Sequence, residues 1–331
     1  MEKVAVNKKS VLRFAQNNAI IIILVLLALY VGISESNFFS FGNFKNLSVN
    51  TAVRFIIALG VSGALITKGT DLSAGRLVGL GSCIAATLLQ KSDFSTKLFP
   101  NLPNLPILFV IIITVLICGV FGFANGAVIS FLKVPPFIAT LGMQTLVYGI
   151  CLVYTGAQPI GGLRSDYTVI SSGSIFGIPY LLIIAVVFGA LMWFLFNKTK
   201  HGKYMYAIGG NENAAEVAGV NTSKVKIKIY TLAAMLYALG GILLAAKAGG
   251  TSVNMGAGYE LEAIAACTIG GVSTNGGVGR VSGILVGVLV FELLKISLQF
   301  LGVETSYTYI VQGLVIIIAV ALDLRKYLAK K

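Results

Sequence analysis

Apolar stretches of about 15 to 25 residues follow one another from near the N-terminus to Leu322, and this recurrence restricts the chain to one kind of architecture. A segment inside a bilayer has no water for its backbone N–H and C=O groups, so it must satisfy them itself, and runs of this length do so as helices. The chain is therefore read as an all-α, polytopic membrane protein. A charged fraction of 11%, against ~25% in soluble domains, agrees with that reading. About ten transmembrane helices are expected, at roughly 17–34, 51–67, 74–90, 105–130, 135–156, 178–197, 228–246, 258–272, 280–301 and 306–323, within one membrane domain covering residues 1–331.

Charge orders these spans. The formal charge of +13 lies at span ends with no aromatic base-stacking platform, which suits lipid headgroups and excludes nucleic acid as partner. With both termini in the cytoplasm, only Lys45, Lys91, Lys97, Arg164 and Lys247 fall outside; apart from Arg54 and Lys295, which lie within spans, the remaining Lys and Arg fall inside, as the positive-inside rule requires. Residues 198–228 are then cytoplasmic. The basic residues Lys3, Lys8, Lys9 and Arg13 precede an apolar run read as a retained first span.

An internal repeat is expected. Thr70–Ala86 lies over Val253–Ile269, setting Ala74 on Ala257, Gly75 on Gly258 and Asp71 opposite Asn254, and FLKVPPFIATLGMQTLVYGI from Phe131 lies over FLGVETSYTYIVQGLVIIIA from Phe300. Five spans separate the copies, and an odd displacement inverts the second, giving an inverted-topology repeat. Small residues at helical spacing (Gly75 and Gly79; Gly122 and Gly126; Gly279, Gly283 and Gly287) read as packing faces.

Several chemistries are set aside. No Gly-rich run ends in Gly-Lys-Ser/Thr, so the chain does not hydrolyse ATP, and His201, its one histidine, has no nucleophile near it in sequence. Cys83, Cys118, Cys151 and Cys267 lie singly in apolar runs, with no metal-ligand spacing. The chain is read as neither enzyme nor metalloprotein. Arg54 is placed near the outer end of its span, where snorkelling suffices, and Glu292 is paired with Lys295 three residues on.

Two groups of residues invite a functional reading. Gln144 and Tyr148 share one helix face and Tyr309 and Gln312 another, on spans the repeat makes equivalent; amides exchange hydrogen bonds with hydroxyls while aromatic rings cover C–H patches, which suits a sugar path, with Asp71 and Asn254 as further candidates. Helix-to-helix hydrogen bonding remains the other explanation. The second group is the polar island Tyr206–Asn221, where Asn211 can cap a short helix, Glu212 suits its positive end and Gly219 can end it. Its apolar face, Ala214, Ala215, Val217 and Ala218, could seat in a partner's groove or merely line a solvated linker helix.

Taken together, GTDLSAGRLVGL from Gly69, VPPFIATLG from Val134, YAIGGNENAAEVAGVN from Tyr206, GYELEAIAACTIGGVSTNGGVGR from Gly258 and YIVQGLVIIIAVALD from Tyr309 resemble the membrane permeases of bacterial monosaccharide ABC importers, nearest the galactose/methyl-galactoside branch and next the ribose type. The resemblance implies a multi-pass protein of the bacterial inner membrane that translocates a monosaccharide by alternating access. It implies a second copy of the chain, a cytoplasmic ATPase carrying the ATP and Mg, and an extracytoplasmic sugar-binding protein. Residues Gly209, Gly210, Asn211, Glu212, Ala214, Ala215 and Gly219 then resemble the coupling loop to the ATPase; the family often has proline where this chain has Glu212, and either suits a first helical turn. A stand-alone ion-coupled carrier is disfavoured by the scarcity of buried carboxylates, and a non-transporting scaffold by the polar faces on repeat-related spans.

Overall fold

The computed structural model describes residues 19–328. In chain order the helices are α1 (Ala19–Ser34), α2 (Phe41–Ile66), α3 (Ala74–Leu88), α4 (Ile107–Phe131), α5 (Pro136–Thr155), α6 (Ser165–Ser172), α7 (Tyr180–Lys198), α8 (Lys200–Gly210), α9 (Glu212–Val217), α10 (Thr222–Ala248), α11 (Tyr259–Ile269), α12 (Val281–Phe300) and α13 (Thr305–Leu328), with one two-residue hairpin, β1 (Ser174–Ile175) and β2 (Ile178–Pro179), between α6 and α7. Local signals fix the ends. Ser40 accepts from Asn43 N at 3.2 Å to start α2, and Asn221 accepts from Lys224 N at 2.9 Å to start α10. Pro136 opens α5, and Gly156, left-handed at φ 60, closes it.

Each of the ten expected segments contains a helix. Among the described residues seven are long and apolar enough to cross a membrane, namely α2, α4, α5, α7, α10, α12 and α13. The expected span 258–272 is corrected: α11 has only 11 residues, about half the ~20 a crossing needs. The cause lies before it, where residues 251–258 run through the body non-helically, with Gly256 so close to α3 that a Cβ there would sit 2.5 Å from Gly75 O. Residues 67–73 approach α3 in the same non-helical way, and Leu72 N donates to Thr140 Oγ1 at 3.1 Å. Irregular backbone is tolerated inside such a body only where protein covers it.

Helices α2 and α10 form the centre, with 89% and 83% of their most apolar windows buried, while α5 and α13 lie at the rim with 17% and 11%. Helix α10 packs on α2, α3 and α4; α2 packs on α7, α10, α11 and α12; α5 rests on α3 and α4, and α13 on α11 and α12. The glycine faces pack within the chain, as expected. A Cβ at Gly126 would stand 2.6 Å from Ile227 Cα, and one at Gly287 1.9 Å from Ala266 O.

One further expectation changes. Helix α2 starts well before residue 51, so Arg54 lies near its middle and does not snorkel: its Nε is 2.8 Å from Glu292 Oε1 and 3.2 Å from Glu262 Oε2. Lys295 pairs with Glu292 at 3.8 Å, as expected, and makes a closer pair with Glu262, at 2.6 Å. The loop after α5 also holds α6, whose buried Tyr167 donates to Ile242 O. The four cysteines are buried.

Candidate functional site: a capped polar segment and a polar seam between two halves

The polar island folds as two short helices. Thr199 Oγ1 accepts from Gly202 N at 3.1 Å to start α8, and Asn211 Oδ1 accepts from Ala214 N at 3.1 Å to start α9. Gly219, at φ +83, ends the turn after α9. Glu212 is held by Lys226 Nζ at 2.6 Å and Glu216 by Thr222 Oγ1 at 2.5 Å, which bind α9 to the start of α10. The apolar face expected on α9 is split: Ala215 is 5% exposed and packs inward, Val217 is 90% exposed, and Ala214 and Ala218 are also exposed. The reason is the tight return at Gly219, where Val220 N donates to Ala215 O at 3.0 Å and folds the chain over that alanine.

This segment rests on the ends of both halves of the molecule. A Cβ on Gly209 would lie 1.8 Å from Ile66 O, at the end of α2, and 2.4 Å from Gly277 N. Gly277 N itself donates to Ile66 O at 2.8 Å, Lys68 Nζ to Gly210 O at 3.2 Å, and Tyr206 OH to Gly279 O at 2.9 Å. Beside α9 a polar groove of about 310 Å³ opens between Glu212, Glu216 and Lys226 on one wall and Lys133–Pro136 on the other. His201, on α8, borders an apolar cavity with Leu59, Met192, Met205 and Leu232; burial, and then the Lys228 charge, lower its pKa, and no nucleophile is among the cavity's lining residues.

The polar path candidates are partly brought together. The Arg76 guanidinium stacks on the Tyr148 ring at 4.1 Å, and its Nη1 donates to Val253 O at 3.2 Å and to Asn254 Oδ1 at 3.4 Å. Tyr148 and Asn254, from opposite halves, thus meet through a residue that was not singled out as a path candidate. Gln144 lies one turn before Tyr148, half-buried. Arg76 lies outside every ion pair found among the described residues, so it is a fixed cation in the seam. An arginine inside an apolar run was the available signal for it.

The other candidates lie elsewhere. Asp71, 1% exposed, accepts from Ser73 N at 3.0 Å, Ser73 Oγ at 2.6 Å and Tyr237 OH at 3.2 Å, and is not bonded to Asn254. Tyr309 is 66% exposed whereas Gln312, three residues on, is buried. Among the described residues no cluster of metal-ligating side chains occurs.

Comparison with known proteins gives this geometry a setting. The family model described as "Branched-chain amino acid transport system / permease component" matches residues 43–320. The chain is 44% identical to the galactose/methyl galactoside import permease protein MglC of Escherichia coli (strain K12), over 99% of each chain, and 42% identical to that of Haemophilus influenzae, again over 99% of each. It is 38% identical to the ribose import permease protein RbsC of Bacillus subtilis, over 92% of this chain and 91% of that one. No solved structure matches. Matched by the family model across most of its length, and by relatives from end to end, the chain belongs to this family of transport-system permease components and is a multi-pass membrane protein.

Proposed function

We propose that the protein is the membrane permease of an ATP-driven importer for galactose or methyl galactoside, working with a second copy of itself, a cytoplasmic ATPase and an extracytoplasmic sugar-binding protein. The observation that carries the sugar is the 44% identity to a galactose/methyl galactoside import permease over 99% of both chains, against lower identity to ribose permeases. Family membership alone would not carry it, since the family is described by amino acid transport and its members here are named for sugars.

The geometry supports roles for both site elements. The capped α8–α9 segment, seated on Ile66 and Gly277, is a rigid body through which closure of an ATPase would reach α2 and the second half together. Arg76, Tyr148 and Asn254 supply an aromatic face and hydrogen-bonding groups where the halves meet, the chemistry a hexose needs. Exchanged packing supports the inverted repeat: α2 meets α11 and α12 as α10 meets α3 and α4, and α3 meets α5 as α11 meets α13. ATP and Mg belong to the partner, and both termini of this chain lie in the cytoplasm.

Vesicles containing the permease, ATPase, binding protein and internal ATP test the reading directly. Labelled galactose accumulates and labelled ribose does not; the reverse result keeps the importer and overturns the sugar, and uptake without ATP overturns the importer.

A further inference from the structure

The loop between α11 and α12 is tied to three elements that are distant in sequence. Gly277 N donates to Ile66 O at 2.8 Å at the end of α2, Gly279 O accepts from Tyr206 OH at 2.9 Å on α8, and Gly209 abuts Gly277 with no room for a side chain. The third tie comes from α13. Asp323 Oδ2 accepts from Thr274 Oγ1 at 2.9 Å, from Thr274 N at 3.1 Å and from Ser273 Oγ at 3.4 Å. Internal bonds stiffen the loop: Ser273 N donates to Val278 O at 3.1 Å, Gly276 N to Ser273 O at 3.1 Å and Asn275 N to Ser273 Oγ at 3.2 Å.

We infer that Asp323 is a positioning residue for transport: it latches the Ser273–Gly279 loop to α13, so that a displacement of the α8–α9 segment is delivered to α13 and, through its packing on α11, toward the segment that carries Asn254. This deepens the proposed function and rests on it. Helical geometry carries the displacement along α13, because Asp323 and the buried Gln312 share one face three turns apart, about 16 Å along an axis free of proline, on a helix that rests on α11 and α12. Removing the carboxylate leaves α13 resting on α11 and α12 but frees it from the loop. A charge-assisted acceptor holding backbone and side-chain donors together is a stronger latch than neutral bonds would make.

The test compares wild type with Asp323→Ala, Asp323→Asn and Thr274→Val in two measurements. In purified permease, amide hydrogen exchange at residues 273–279 rises in Asp323→Ala; unchanged exchange overturns the latch, whatever the substrate proves to be. In the vesicles described above, galactose moved per ATP hydrolysed falls about fivefold or more in Asp323→Ala while ATP hydrolysis holds within about twofold, the size expected of a lost coupling. Asparagine, which keeps an acceptor, restores part of the ratio, and Thr274→Val, which removes one donor and leaves the fold intact, gives an intermediate loss. An unchanged ratio in Asp323→Ala, or a parallel loss of both activities, overturns the inference. Wild-type vesicles that move no galactose overturn the proposed sugar instead, and exchange still decides the latch.

Discussion

Arg54 on α2 and Glu262 on α11, 208 residues apart, meet at 3.2 Å, and Glu292 and Lys295 on α12 complete the cluster around them. Two carboxylates balance two cations, so the group is neutral, and it joins the central helix of the first half to two helices of the second. Removing one member leaves the others uncompensated. Glu292→Ala is expected to destabilise the protein by about 3 kcal/mol or more, because Glu292 is buried and its loss leaves Glu262 alone against the two cations Arg54 and Lys295. Thermal unfolding in detergent checks this, and Glu292→Ala combined with Arg54→Met should recover part of the loss.

On α9, Val217 and Ala215 separate two effects that a single helix face would have merged. Val217→Glu places charge on an exposed side chain and is expected to weaken ATPase retention with little change in the permease's melting temperature. Ala215→Glu buries a carboxylate and lowers the melting temperature itself. Co-purification of the ATPase, read beside a melting curve, distinguishes them; equal retention in Val217→Glu argues against α9 as a docking element.

Gly209→Ala inserts a methyl group 1.8 Å from Ile66 O, so backbone must move. We expect reduced transport with membrane insertion intact, since the neighbouring Gly210 has open space around it and Gly210→Ala is tolerated. Uptake assays on this pair, normalised to protein in the membrane, give the result.

At the polar seam, Tyr148→Phe keeps the ring under Arg76 whereas Tyr148→Leu removes it. Galactose uptake is expected to fall about tenfold in Tyr148→Leu and little in Tyr148→Phe, a contrast an ATP-driven vesicle assay resolves.

How far the sequence reached can be argued residue by residue. Asn211, Gly219 and the small residues Gly126 and Gly287 were legible because a cap, a stop and a close approach are properties of a few neighbouring positions. The shortness of α11 was not, since it follows from Gly256 meeting Gly75, a contact no local window contains. The partners of Arg54 were hidden for the same reason, whereas Glu292 and Lys295, three residues apart, formed a pair that local spacing does reveal. In the candidate path, residue type and repeat alignment point to Tyr148 and Asn254, and an arginine inside an apolar run signals Arg76, but that it joins the two shows only when the halves are assembled.

The separation of Arg54 from its carboxylates also sets a schedule for synthesis. Helix α2 leaves the ribosome 208 residues before Glu262, an interval of about ten to forty seconds at ~5–20 residues per second. Throughout it, a guanidinium at the middle of a membrane helix, costing ~2.5–3.5 kcal/mol by insertion scales, has no counter-charge from α11 or α12. The charge at the middle of one of the most buried helices in the molecule is therefore answered only by residues made more than half the chain later.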